Sequence, residues 1–320
     1  HVDSITTFAM CHHGWHYHET KVGEMHPHLK FDLLRAQYEA CREIDVNVPI
    51  YLTAGVNDRV IDLHPEWREV DIDGSFIGWS KGVLQPGFKK VCFNTPYLDL
   101  LCEMIIETAQ LFPDCHGIFL DIINQNACCC KWCMKSMVEQ GFNPELESDR
   151  KAHAAKVLMK YYQKTTAALR SVSADMPIFH NSGHITRGNY DILPYFSHLE
   201  LESLPTGGWG YDHFPVSAKY VKNLDFDIMG MTGKFHSTWG EFGGFKHPNA
   251  LIYETAAMLA FGSRCSVGDQ LHPSGELDRS TYDLIGKAYE QVEAKEAWCK
   301  NTKNVADIAI VSGEAVNKAA

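Results

Sequence analysis

Residues able to do chemistry gather in a few short segments, each following an apolar run. Asp121 closes Gly117-Ile118-Phe119-Leu120, and His180-Asn181 ends another run. Glu200 and Glu202 lie in 198–204, Glu241 ends Ser237-Thr238-Trp239-Gly240-Glu241, and Cys11-His12-His13-Gly14-Trp15-His16-Tyr17-His18 follows the first strand-like stretch. An ionised carboxylate at the rim of an apolar strand is poorly explained as structure, although Asp at such a junction also serves as a helix N-cap or an ion-pair partner. Two strand-end carboxyl groups suit cleavage of a glycosidic bond. One attacks or activates water while the other protonates the leaving oxygen, at about 5–5.5 Å separation for retention and wider for inversion. Asp121 is the candidate nucleophile. Glu202 leads as acid/base because Trp209 and Tyr211 follow it, while Glu200 shares its side-chain parity and Glu241 also follows a strand. Any of the three glutamates can instead cap a loop.

The aromatic and imidazole residues have a use beside such carboxylates. His12, His13, Trp15, Tyr17, His26 and His28 read as a sugar platform in which imidazoles hydrogen-bond hydroxyls and rings pack on C–H faces. His180, Asn181 and Trp239 are candidates for the same task. If the strand persisted through His12 and His13 they would point oppositely, so a turn at Gly14 is needed for both to face one side. A metal bound by the histidines is the alternative, but no neighbouring strand end adds a carboxylate set. Cys128, Cys130 and Cys133 form C-x-C-x-x-C, with Cys92 in the preceding loop. Four thiolates predict a closed, tetrahedral, structural zinc site with no position for water. Cys129 is a bystander, and the glycosidic chemistry itself needs no metal.

These residues require elements to carry them. Strand-like runs occupy 4–10, 46–54, 117–123, 177–180, 198–204, 226–231 and 264–271, and helix-period stretches occupy 29–43, 97–112, 153–173 and 249–261. Such alternation builds a parallel sheet, and polar residues clustered after the strands mark the face where (β/α) barrels place their sites. The expectation is an α/β fold, a (β/α)8 TIM barrel over 1–300 that lacks its first βα unit. An open doubly wound sheet would want a Gly-rich phosphate loop, which the sequence lacks. After a helix around 288–299 and a break at 300–306, a strand-like run at 307–311 reads as the start of a further domain within 301–320.

The 320 residues carry a formal net charge of -11, with no basic stripe for nucleic acid or an anionic membrane surface. A neutral substrate fits better. No apolar run approaches the roughly 20 residues that span a bilayer. The eleven cysteines are an odd, unevenly spread set in a long chain. They read as reduced thiols with one local cluster, which tilts the expected compartment towards the cytoplasm.

Known families share these residues. His12-His13-Gly14-Trp15, Phe119-Leu120-Asp121, and Glu202 followed by Thr206 and Trp209-Gly210-Tyr211 resemble the α-L-fucosidases of glycoside hydrolase family 29. There the paired His binds fucose, the Asp is the nucleophile and a Glu precedes a Trp-Gly-Tyr. The chain is similar over nearly its whole length to family 151 fucosidases and the hypothetical glycosyl hydrolases grouped with them, as in His26-Pro27-His28-Leu29 and 209–215. The resemblance implies a retaining exo-glycosidase, an α-L-fucosidase acting on a fucosylated or related glycan. It also implies that 307–312 opens a domain similar to the β-galactosidase trimerisation domain, and hence a homo-oligomer. The cysteine run, with Cys92 before Asn94-Thr95-Pro96-Tyr97, is similar to the zinc cluster of family 42 β-galactosidases, which supplies a rival activity. Those enzymes place a Glu where this chain has Asp121. A sugar-binding barrel without catalysis is the second rival.

Overall fold

The computed structural model describes residues 2–79, 87–183, 185, 188–241, 243–272, 274–311 and 313. The chain divides into two compact units, one of residues 2–182 with 194–196, the other of residues 183–193 with 197–320.

In the first unit, β1 (Thr7–Met10), β2 (Ile50–Thr53), β3 (Ile118–Asp121) and β4 (Ile178–His180) form a four-stranded parallel sheet in chain order. Between them run α1 (Leu33–Glu43), α2 (Asp58–Leu63), α3 (Tyr97–Leu111), α4 (Lys131–Glu139) and α5 (Glu147–Arg170). Every residue of β2, β3 and β4 is buried, as expected of parallel strands covered on both faces. The β2–β3 register pairs Tyr51 with Phe119 and Thr53 with Asp121. Side chains alternate along a strand, so Tyr51 and Thr53 share a face.

The local chemistry explains the boundaries. Helix α1 begins at Leu33, later than the apolar periodicity from residue 29 predicts, because Asp32 caps it by accepting from the Arg35 N–H. Asn57 caps α2 in the same way through the Val60 N–H.

The second unit holds β5 (Leu199–Glu202), α6 (His213–Val221), β6 (Ile228–Gly233), α7 (Pro248–Ala260), β7 (Arg264–Gly268), α8 (Arg279–Glu293) and α9 (Glu296–Cys299), its three strands again parallel and in chain order. Seven strands, all but β4 followed by an α-helix before the next strand or after the last, thus match the alternation read from the sequence. The ladders among the described residues form two open sheets, not one closed ring. The run 307–311 pairs with no strand among the described residues, and Ile308, Ile310 and Val311 stand in solvent. A lone β-branched segment without a neighbour has no partner for its backbone. Ser312 and 314–320 lie outside the described residues. Among the described residues no helix is long and apolar enough to cross a membrane.

Candidate functional site

Asp121 is the last residue of β3 and is 9% exposed. Its two carboxylate oxygens are held separately. The Tyr51 hydroxyl donates to Oδ2 at 2.5 Å, and the Asn181 side-chain amide donates to Oδ1 at 2.9 Å. Burial pushes the Asp121 carboxyl above its ordinary value, and the hydrogen bonds from Tyr51 and Asn181 pull it partly back.

The backbone is fixed as tightly. The Asp121 carbonyl accepts from the Ala54 and Gly55 N–H groups at 2.9 and 3.1 Å. A Cβ on Gly55 would stand 1.7 Å from the Ile122 carbonyl oxygen, so this crossing of two chains demands glycine. Ile122 itself sits at φ 61°, a left-handed conformation that a β-branched residue adopts only when its surroundings impose it.

The His12-His13 segment does turn at Gly14, whose N–H donates to the Cys11 carbonyl. The first N–H groups of α2, from Asp58 and Arg59, bond the His12 and His13 carbonyls, so a helix start anchors the loop. His12 Nδ1 lies 2.9 Å from the Thr53 hydroxyl, which donates its own proton to the Val56 carbonyl. The imidazole therefore donates from Nδ1 and keeps Nε2 as an acceptor, and burial lowers its pKa to about 4, so it is neutral. Tyr51 lies 3.5 Å from the same Nδ1, which links His12 to the Asp121 group. Trp79 and Phe88 flank the His12 ring.

His13 turns elsewhere. Its Nδ1 accepts from the Trp15 N–H, leaving Nε2 to donate to the Tyr17 hydroxyl at 2.7 Å. His26 packs edge-on against both His13 and Trp15, and Arg59 lies over the Trp15 ring while paired to Glu24. His180 does not join Asp121. It is fully buried among Tyr161, Tyr162 and Phe196, with Nδ1 on the Tyr161 hydroxyl. One residue later the parity reverses, and Asn181 reaches the carboxylate.

In the second unit, Glu202 ends β5 at 8% exposure, and the Trp239 indole N–H donates to its Oε1 at 2.6 Å. Glu200 is also buried, and its carboxylate meets His198 at 2.8 Å. Glu241 caps its own turn, accepting from the Ser237 N–H and hydroxyl. The Ser237 side chain first, then its backbone, holds Glu241 below the usual carboxylate range. Trp209 and Tyr211 are half-exposed, Trp209 packing on His213 and Tyr211 on Tyr253.

Tyr51 is the member of the Asp121 group that the sequence alone did not reveal. The signal was present as the period-2 partner of Thr53 two residues from the strand's end, but an aromatic in an apolar strand reads as core. Replacing Tyr51 by Phe removes one donor from a buried carboxylate, worth roughly 1.5–3 kcal/mol. The expected result is a ten- to hundredfold fall in kcat/KM. The acid limb of the pH–rate profile should move to higher pH, because a hydrogen bond that lowers the Asp121 pKa is gone.

The cysteine quartet is formed. Cys92, Cys128, Cys130 and Cys133 are all buried, with their sulfurs within 4.8 Å of one another. Cys92 lies 3.4 Å from Cys133 and 3.8 Å from Cys130. A tetrahedron with metal–sulfur bonds of about 2.3 Å has edges of about 3.8 Å, so the donor set fits zinc. Amide groups already point at the sulfurs: the Val70 and Cys130 N–H groups at Cys128, and the Gln125 side chain at Cys92. Hydrogen bonding among the sulfurs lowers the Cys130 thiol and raises those of Cys92 and Cys133. Cys129 faces away from the cluster, its thiol on the Ala127 carbonyl.

Comparison with known proteins adds a family and a fold. Residues 1–122 match the family described as Hypothetical glycosyl hydrolase 6. The chain is similar to α-L-fucosidase isoenzyme 2 from Paenibacillus thiaminolyticus, at 51% identity over 96% of this chain and 46% of that one, with a TM-score of 0.92. A GH42 β-galactosidase from G. stearothermophilus shares the fold at 12% identity and TM-score 0.65, over 87% of this chain and 51% of that one. The α-L-fucosidase AlfC from Lactobacillus casei does so at 12% identity and TM-score 0.53, over 92% and 76% respectively. The chain spans about half the length of the first two, at 46% and 51%. No curated protein matches it. By sequence along nearly its whole length and by fold, the chain is a fucosidase-like glycoside hydrolase.

Proposed function

We propose that the chain carries the catalytic centre of a retaining exo-glycosidase, an α-L-fucosidase, built on a (β/α) barrel. The observation that carries this reading is the Asp121 carboxylate, buried at a strand end with each oxygen held by its own donor, one of which, Tyr51, lies 3.5 Å from the neutral His12. In the proposed double displacement Asp121 attacks the anomeric carbon. Glu202 protonates the departing oxygen and then takes a proton from the water that releases the sugar. Tyr51 and Asn181 hold the attacking carboxylate in one orientation, so little reorganisation is left for the reaction. His12 accepts a sugar hydroxyl at Nε2, and the His13–Tyr17 pair with Trp15 and His26 forms the wall of the sugar pocket. Trp209, Tyr211 and Trp239 supply apolar faces near Glu202 along the chain.

The test is the initial rate on a panel of aryl glycosides headed by the α-L-fucoside. Turnover of fucoside supports the reading. Turnover of β-galactoside alone moves it to a β-galactosidase, the rival favoured by the cysteine cluster and by the fold shared with such an enzyme. Binding without any turnover identifies a sugar-binding protein.

The acid/base assignment has its own signature. Glu202→Gln should cut the rate on a substrate with a poor leaving group by about 10²–10⁴-fold and spare one with a nitrophenolate that departs unprotonated. Equal losses on both would remove the role from Glu202. Its rivals differ in circumstance: the Glu200 carboxylate is taken up by His198 and that of Glu241 by Ser237.

We also assign structural zinc to Cys92, Cys128, Cys130 and Cys133. The metal would tie the loop before α3 to the start of α4 and leave no open position for substrate or water, so the glycosidic chemistry proceeds without it.

A further inference from the structure

Tyr97 opens α3 and is fully buried. Its hydroxyl donates to the Ala54 carbonyl at 2.8 Å. The same peptide unit carries the Gly55 N–H, which donates to the Asp121 carbonyl at 3.1 Å, and the Ala54 N–H adds a second bond to that oxygen at 2.9 Å. A peptide is planar, with its C=O and N–H on opposite edges. One rigid plate therefore lies between the Tyr97 hydroxyl and the Asp121 main chain. A donor on the plate's carbonyl polarises it and strengthens its N–H as a donor, so the grip on Asp121 depends on Tyr97 in strength as well as in angle.

Tyr97 is itself fixed. Its N–H donates to the Thr95 hydroxyl oxygen at 3.3 Å, and Thr95 sends both its N–H and its hydroxyl proton to the Cys92 carbonyl, at 3.2 and 2.8 Å. Val91, next to Cys92, donates its N–H to the Gly55 carbonyl at 3.2 Å. Segment 91–97 thus holds both carbonyls of the crossing, and it contains one member of the cysteine quartet. Asn57 also lies in reach of the Tyr97 hydroxyl, but keeps its bond to the Val60 N–H without it. A buried tyrosine hydroxyl on a carbonyl ordinarily does no more than satisfy that carbonyl. Here the carbonyl belongs to the peptide that grips the residue bearing the carboxylate, and Ala54 is 0% exposed, so solvent does not stand in for a lost donor.

We propose that Tyr97 is a positioning residue for Asp121, acting through the Ala54–Gly55 peptide. It keeps the Asp121 main chain seated so that the carboxylate stays between Tyr51 and Asn181. The proposal rests on the reading of Asp121 as the nucleophile, and it adds to that group a residue that does not meet the substrate.

Tyr97→Phe removes the hydroxyl and keeps the ring. Thr108→Val is the matched control, because Thr108 is fully buried on the same helix and its hydroxyl also donates to a carbonyl, that of Met104, at 2.8 Å. In ¹⁵N-labelled protein, Tyr97→Phe should speed hydrogen exchange at the Ala54 and Gly55 amides about tenfold and spare those inside β2 and β3. The Asn181 side-chain amide signal, which reports the bond to Asp121, should move with it. On the responsive glycoside kcat should fall about tenfold with KM within about twofold, because the sugar-binding groups are untouched and only the aim of the attacking carboxylate relaxes. Thr108→Val should change none of these. Unchanged exchange at Ala54 and Gly55, an unmoved Asn181 signal, an unaltered kcat, or equal effects from Thr108→Val each overturn the proposal. A parent protein that turns over no glycoside removes the reading of Asp121 as nucleophile, yet the two spectral readouts still decide whether Tyr97 sets the Asp121 carboxylate.

Discussion

Asp121→Asn should reduce turnover of the responsive glycoside by about 10⁴-fold or more while leaving the fold intact. The amide has nearly the shape of the carboxylate. Its oxygen can accept from Asn181, and its nitrogen can donate to the Tyr51 hydroxyl, so the hydrogen-bonded frame survives. What is lost is the proposed nucleophile. A stability measurement separates this role from a structural one. Burial raises the Asp121 pKa in the folded protein, so the native state holds this proton more tightly than the unfolded chain. Stability contributed by the group is therefore greatest at low pH and declines as pH rises from its ordinary value of 3.8 through the raised one. At neutral pH the charged, buried carboxylate is a burden that Asn removes. The variant should melt at or above the wild-type temperature at pH 7, with its advantage shrinking at acid pH. A variant that melts well below wild type at pH 7, or keeps near-native turnover, overturns the assignment.

Breaking the cysteine quartet should have the largest effect on stability. In small zinc-folded peptides the bound metal contributes about 10–16 kcal/mol, a ceiling for a site inside a domain with its own core. Cys133→Ser leaves three thiolates and a weaker oxygen ligand, so a loss of several kcal/mol and a fall in melting temperature on the order of 10 °C are expected. Protein purified without added metal should contain about one zinc per chain, and removal by a strong chelator should reproduce the Cys133→Ser destabilisation. Metal well below one equivalent, with all four thiols free and an unchanged melting temperature in Cys133→Ser, removes zinc from the site.

The parts of the fold legible in the sequence are those with strong local signals. The buried runs at 50–53 and 118–121 and the apolar periods of α3 and α7 sit within a few residues of where pattern alone puts them. Boundaries moved where a side chain outside the periodicity decided them, as Asp32 does at α1. The cysteine cluster was legible because its three-residue core is local and the fourth ligand lies one loop away. Side-chain direction at strand ends was not. His180 and Asn181 are neighbours of opposite fate, and only the β3–β4 register, which pairs Leu120 with His180, assigns them. Tyr51 was hidden by its type, since burial and a hydrogen bond to an acid look alike in an apolar strand. Trp79 and Phe88 flank His12 from outside any helix or strand, where no periodicity announces them.

The crossing of Gly55 and Ile122 bears on how such a centre could be transplanted. Copying Asp121, Tyr51 and Asn181 onto another parallel sheet would carry over the functional groups but not their aim. That aim comes from two peptide N–H groups gripping the Asp121 carbonyl and from a left-handed isoleucine forced on the next residue. A graft would have to include the glycine that lets the two chains pass within contact distance, since any other residue would push the strand end aside. The smallest portable unit is therefore three adjacent strand ends with their crossing peptides, not a set of side chains.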